Sequence, residues 1–218
     1  MIHPIRYYGD PVLRRRAAEV TEFGPELKSL AADMLETMYA ADGVGLAAPQ
    51  IGVPLRLFVA LEMQPGADAD AEPGADSDAS VVTAEERRRR WEQRREHVIV
   101  NPVIIARSGL QYGRDGCLSL PGLSVEGVPR DLTIEFEYQD LAGQRHGLKA
   151  TGYFAHVLQH EYDHLEGVLF FDHLPEQQRR QFLEQNRTEL ADMQRDAKAF
   201  LRQERKKSQP VPAQARGR

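Results

Sequence analysis

Five consecutive residues near the end of the chain, His160-Glu161-Tyr162-Asp163-His164, have the types and spacing to hold a metal ion and use it. Four positions along a helix make about 400° of turn, so the two imidazoles leave one face a turn apart and can take adjacent sites of one tetrahedral ion. Glu161, turned by about 100° from His160, can reach water on that ion without ligating it. A metal brings the pKa of its water toward neutrality, and a neighbouring carboxylate can take a proton and later return it. Two histidines and a glutamate at this spacing also arise by chance on a charged helix, so the motif needs support from elsewhere in the chain.

A catalytic ion needs three protein ligands and an open position. The single cysteine, Cys117, lies in Gly113-Arg114-Asp115-Gly116-Cys117-Leu118-Ser119-Leu120-Pro121-Gly122, and the flanking glycines and proline place it on a shaped loop. A lone cysteine is usually a small buried hydrophobe. Beside two helical histidines it is a candidate third ligand, a soft thiolate suited to iron, zinc, nickel or cobalt. A nucleophilic cysteine paired with histidine is the other chemical option, but it leaves Glu161 without a purpose. His156 cannot replace Cys117, because three histidines at i, i+4 and i+8 span about 12 Å on one helix. Taken alone, the glycine-bounded segment Gly43-Val44-Gly45-Leu46-Ala47-Ala48-Pro49-Gln50 is an ordinary tight turn with Gln50 in solvent.

Together, GVGLAAPQ at 43–50, DGCLS at 115–119 and QHEYDHLEG at 159–167 resemble the three signature motifs of the peptide deformylases. The similarity runs over about 5–175 and includes YGDPVLR at 8–14. It implies an enzyme that removes the formyl group from the N-terminal formylmethionine of new polypeptides and releases formate. It also implies Fe(II) as the native ion, with zinc, nickel or cobalt as substitutes. By the same resemblance Cys117, His160 and His164 are the metal ligands and Glu161 is the acid/base. Gln50 and the Leu118 N–H stabilise the formyl oxygen as it becomes an oxyanion. Gly45 contacts the substrate backbone, and Val44, Tyr153, Val157 and His160 wall a slot for the methionine side chain. Donors aimed at a developing oxyanion often make the largest single contribution to rate. A glycine at 45 would let a peptide backbone come close.

The chain departs from the family pattern at Asp115, where glutamate is usual. The family's acidic residue is expected to brace the cysteine loop against an arginine, here Arg130, and aspartate is one methylene shorter. The resemblance places His156 at the substrate entrance; the plainer expectation is an exposed helical histidine.

The elements that must position these residues follow from periodicity. Leu27, Leu30, Ala31, Met34, Leu35 and Met38 recur at helical spacing over 25–40. Strands are predicted at 55–61, 97–100 (closed by Asn101-Pro102), 103–107, 132–138 and 146–150, with a hairpin turn around Ala142-Gly143. A helix over 151–166, with Thr151 as N-cap, carries the histidines. A further helix is predicted over 175–206. The expected fold is α+β: antiparallel strands around a central HExxH-bearing helix, with a C-terminal helix packed outside. The expected division is a catalytic domain at 1–175, containing an insertion at about 62–96, then a helix and basic tail at 176–218. The insertion reads as an acidic loop (62–80) and a charged helix (84–96) docked by Trp91.

Of the 218 residues, 41% are hydrophobic and 28% charged, enough for a real core. The net charge of −5 argues against a general DNA or RNA binder. One cysteine excludes a disulfide within the chain, and no run has the length of a signal h-region or membrane span, so a cytoplasmic setting is expected. Residues 198–218 carry seven basic residues and one acidic. They read as a solubilising tail or, by the resemblance, as an electrostatic contact to ribosomal RNA. Two other functions fit parts of the pattern: an endopeptidase sharing HExxH, and a noncatalytic metal-binding or ribosome-associated protein.

Overall fold

The computed structural model describes residues 1–62 and 94–207. Most of the expected insertion, Trp91 and the tail from 208 lie outside those residues. Helix α1 (Pro25–Ala40) starts with proline in its first turn and buries Leu27, Ala31, Met34 and Met38, the spaced apolar positions. The chain then turns through Asp42, whose φ is 52°, into strand β1 (Gly45–Ala47) and a 3₁₀ turn over Ala48–Ile51. The segment expected to be a loop is therefore partly strand, paired antiparallel to β2 (Leu57–Glu62) with Leu46 opposite Val59.

Strand β3 (Arg95–Ser108) is continuous where two strands were expected. Pro102 has no ladder donor, and the chain absorbs this with a register shift between Val100 and Val103 rather than a break. Asn101 takes a φ of 49° at that point; its side chain accepts from Val20 N–H and donates to the Val20 carbonyl and to Gln139. Because β2 runs through Glu62 and β3 begins at Arg95, the insertion is shorter than expected at both ends, and no helix extends to 96.

Strands β4 (Gln111–Cys117) and β5 (Leu120–Arg130) form a two-stranded sheet that periodicity did not predict. Cys117 is accordingly the last residue of a strand and not part of a loop. Strands β6 (Thr133–Gln139) and β7 (Arg145–Thr151) form the expected hairpin. The five-stranded sheet is antiparallel in the order β1-β2-β3-β6-β7. Helix α2 (Gly152–Glu166) packs against β1, β2, β6 and β7, and Phe58, Ile99, Phe136, Ala155 and Leu158 share its core. Thr151 occupies the N-cap position, but its hydroxyl meets Thr133 across the sheet.

After α2, Leu169, Phe170 and Phe171 pack with Leu120, Val128 and Phe182, which joins the β4–β5 hairpin to the C-terminal helices. The single helix expected there is two, α3 (Glu176–Gln185) and α4 (Arg187–Lys207), separated at Asn186. Gly9 lies against Gln194 of α4, so the last helix packs on the N-terminal segment. No helix among the described residues is long and apolar enough to cross a membrane.

Gly167 ends α2 with a φ of 73°, and a Cβ there would lie 2.7 Å from the backbone carbon of Arg14. Gly167→Ala is expected to cost at least about 1–3 kcal/mol, read as a lower urea midpoint with an unchanged slope.

Candidate active site and metal centre

Three separate stretches meet above the C-terminal half of α2. The helix is buried where it carries chemistry, with His156, His160, Glu161 and His164 all inaccessible or nearly so. Helical spacing sends His160 and His164 toward the end of β4, their rings 5.0 Å apart. There Cys117 Sγ lies 3.2 Å from His164 Nε2. One ligand atom from each of Cys117, His160 and His164 can be chosen so that all lie within 4.8 Å of one another.

The donor chemistry fits a divalent ion. Burial alone would push the Cys117 thiol up, but the imidazoles of His164 and His160 outweigh it and bring the pKa down to about 5. Burial likewise disfavours protonated His160, yet Asp115 and the Cys117 sulfur hold its pKa well above the usual range. A dication among these atoms would take the place of the imidazole proton in holding the Cys117 thiolate. Beside them Glu161 is pushed up to about 7 by burial, and its Oε2 has no hydrogen-bond partner among the described residues. A carboxyl poised near neutrality and directed at a three-ligand cluster suits proton transfer.

Gln50 reaches the same point from the 3₁₀ turn. Its Oε1 accepts from the Ala47 N–H (2.8 Å), which turns Nε2 outward to donate toward Cys117 Sγ (3.4 Å) and Ser119 Oγ (3.3 Å). The expectation of a solvated Gln50 from that segment alone does not hold. The N-terminal segment clamps both strips: Arg6 N–H donates to the Gln50 carbonyl (2.7 Å) and Tyr8 N–H to the Ser119 carbonyl (2.9 Å). A cleft of about 270 Å³ opens over the cluster, lined among others by Val44, Gly45, Leu118, Tyr153 and Val157. Val157 is also part of the core under α2.

Two findings alter the sequence reading. A Cβ on Gly45 would collide with Glu161 Oε1 and lie 2.7 Å from its Cδ, so this glycine makes room for the Glu161 carboxylate itself. His156 is not exposed. It lies on the cleft wall, but it is buried and its Nε2 is 3.2 Å from Asp115 Oδ2.

The Asp115–Arg130 contact forms despite the shorter aspartate, with Arg130 Nη2 donating to Oδ2 at 2.8 Å. Arg130 is held in turn by Asp163, which also meets His173 Nε2 at 2.7 Å. Sequence reasoning missed the other oxygen of Asp115, which lies 2.7 Å from His160 Nδ1. The spacing of 115 and 117 on one strand was the available signal, since residues two apart share a face. It was hidden because β4 had not been recognised as a strand.

Comparison with known proteins agrees with this geometry. The polypeptide deformylase family pattern matches residues 2–180. The chain belongs to the polypeptide deformylase family. A peptide deformylase of Thermus thermophilus is 52% identical over 203 residues, covering 93% of this chain and 98% of that protein. The crystal structure of a Thermus thermophilus peptide deformylase superposes with a TM-score of 0.73 at 48% identity, covering 90% of this chain and 99% of that one. That of the Thermotoga maritima peptide deformylase gives 0.63 at 36% identity, covering 80% and 99%. The chain is therefore a metal-dependent hydrolase of linear amides that removes the N-formyl group from nascent polypeptides and releases formate. The endopeptidase and noncatalytic readings fall away, and the expected α+β fold stands.

Gly45→Ala is expected to displace the Glu161 carboxylate and lower kcat/KM by about 100-fold. Elemental analysis of the purified variant should still find a full complement of metal, because no candidate ligand moves.

Proposed function

We propose that Cys117, His160 and His164 hold one divalent ion, Fe(II) in the cell, and that the remaining site residues carry out deformylation around it. The observation that carries this reading is the buried Glu161 carboxyl, poised at about 7 beside three convergent ligand atoms. The thiolate and two imidazoles suit iron, zinc, nickel or cobalt about equally in kind, so zinc, nickel or cobalt would substitute in preparations. When bound, the ion supplies Lewis acidity and lowers the pKa of water.

The protein's own groups account for the rest of the reaction. Glu161 takes a proton from the attacking water as its oxygen bonds to the formyl carbon. The Gln50 amide, whose Nε2 is aimed by Ala47, and the Leu118 N–H donate to the formyl oxygen as it gains negative charge. Glu161 then returns the proton to the departing nitrogen as the carbon–nitrogen bond breaks, leaving formate and a free methionine amine. Val44, Tyr153, Val157 and His160 provide the wall for the methionine side chain, and Gly45 meets the substrate backbone. One methylene in such a slot is worth about 1–3 kcal/mol, so discrimination among similar side chains is modest.

A formylmethionyl nascent chain as substrate supports a cytoplasmic setting beside the ribosome. The basic end at 198–218 is proposed to dock on ribosomal RNA. Within the described residues, Arg205, Lys206 and Lys207 crowd the last turn of α4, where cations also meet a favourable helix dipole.

Glu161→Ala is expected to keep its metal while formate release from formyl-Met-Ala-Ser falls by about 100- to 10,000-fold. Near-normal turnover with metal bound would remove Glu161 from the mechanism. Truncation after Asp196 should weaken ribosome binding, with a shallower salt dependence, and spare activity on the same short peptide. Unchanged ribosome affinity would reject docking through this end.

A further inference from the structure

Asp115 stands where the related motif carries glutamate, and its surroundings show how the shorter side chain is accommodated. The carboxylate projects from β4 toward α2 and is buried. Its Oδ1 lies 2.7 Å from His160 Nδ1. Its Oδ2 receives Arg130 Nη2 at 2.8 Å from the hairpin side and faces His156 Nε2 at 3.2 Å from the helix side. His156 precedes His160 by one helical turn, so both imidazoles approach the same carboxylate from adjacent rungs of α2. The Tyr153 ring lies nearly parallel to His156, with centroids 6.3 Å apart and an interplanar angle of 22°.

We propose that His156 is a positioning residue, bound to Asp115 in place of the missing methylene, that keeps His160 aimed at the metal site. Arg130 Nη2 donates to Oδ2 from one side and His156 Nε2 lies 3.2 Å from it on the other, and the two groups limit rotation of the carboxylate about its Cβ–Cγ bond. Oδ1 then stays within reach of His160 Nδ1, 2.7 Å away, where the carboxylate favours a proton on that nitrogen and leaves the Nε2 lone pair for the ion. An aliphatic side chain at 156 would leave Arg130 as the only group holding Oδ2. A glutamate at 115, one methylene longer, would reach the helix without help. Residues 115 and 156 are thus a coupled pair, and the gain falls on metal retention as much as on turnover. The inference rests on the reading of His160 as a metal ligand.

The test uses the intact zinc-loaded protein, with metal loss to an excess of chelator followed alongside steady-state kinetics. His156→Leu is expected to lose zinc about tenfold faster and to lower kcat, with KM changed little. His156→Gln keeps a donor at the same reach and should stay near the parent. In an Asp115→Glu background, His156→Leu should change zinc loss by less than about twofold, because the coupling is gone. A folded His156→Leu protein that holds zinc as the parent does overturns the proposal. So does an equal effect of His156→Leu in both backgrounds. Nitrogen NMR of the histidines in the parent needs no variant. His156 protonated at Nε2 supports the proposal, and a proton on Nδ1 alone overturns it. A parent that takes up no zinc would overturn the metal-site reading first, and the proposal with it.

Discussion

Everything about this fold answers one constraint: a helix bearing ionisable side chains runs through the interior. An unpaired buried charge costs several kcal/mol, and removing one partner of a buried pair typically costs about 3–5 kcal/mol. The chain meets this with a relay of charges in place of isolated pairs. Asp163 holds Arg130, Arg130 holds Asp115, and Asp115 holds His160. Every link but the last lies behind the reacting groups, so the relay stiffens the helix–hairpin junction without obstructing the cleft. Burial favours the neutral forms of Asp163 and Asp115, but their cationic partners outweigh it and hold both carboxyls below the usual range. Glu161 escapes the relay. It faces the cleft with no cation fixed to it by a hydrogen bond, and it is the one carboxyl of the group pushed upward.

Where a local pattern repeats, the elements could be read from the residues alone. The spacing of Leu27, Ala31, Met34 and Met38 set out α1, and the alternation in residues 133–139 set out β6. The HExxH helix was legible over 151–166, and the observed helix starts one residue later and ends at the same place. The β4–β5 hairpin was not, because glycines interrupt its alternation and two register shifts break the period. Asn101-Pro102 resembled a strand end because a missing donor usually ends a ladder; here the Asn101 side chain supplies the contacts that let the strand continue.

The same distinction separates the site residues. Cys117, His160 and His164 could be singled out because their chemistry is narrow and their spacing is local or motif-bound. The orientation of Gln50 could not, since it depends on a hydrogen bond to Ala47 that appears only once the 3₁₀ turn is known. Gly45 was singled out for close approach by a substrate backbone, and the close neighbour the structure shows is the enzyme's own Glu161. His156 shows the limit of reading one helix at a time: its partner lies on another element, and no periodicity in α2 points to it.

The β4–β5 hairpin forms a sheet of its own, separate from the five strands that hold α2. Cys117 meets His164 across 47 residues, and Gln50 meets Cys117 across 67. Contacts of such long sequence separation form late, after loop-closure entropy has been met. A chain whose hairpin has not yet docked offers an ion only the two imidazoles of one helix. On the proposed ligand set, retention of the ion therefore reports that the hairpin has docked on α2.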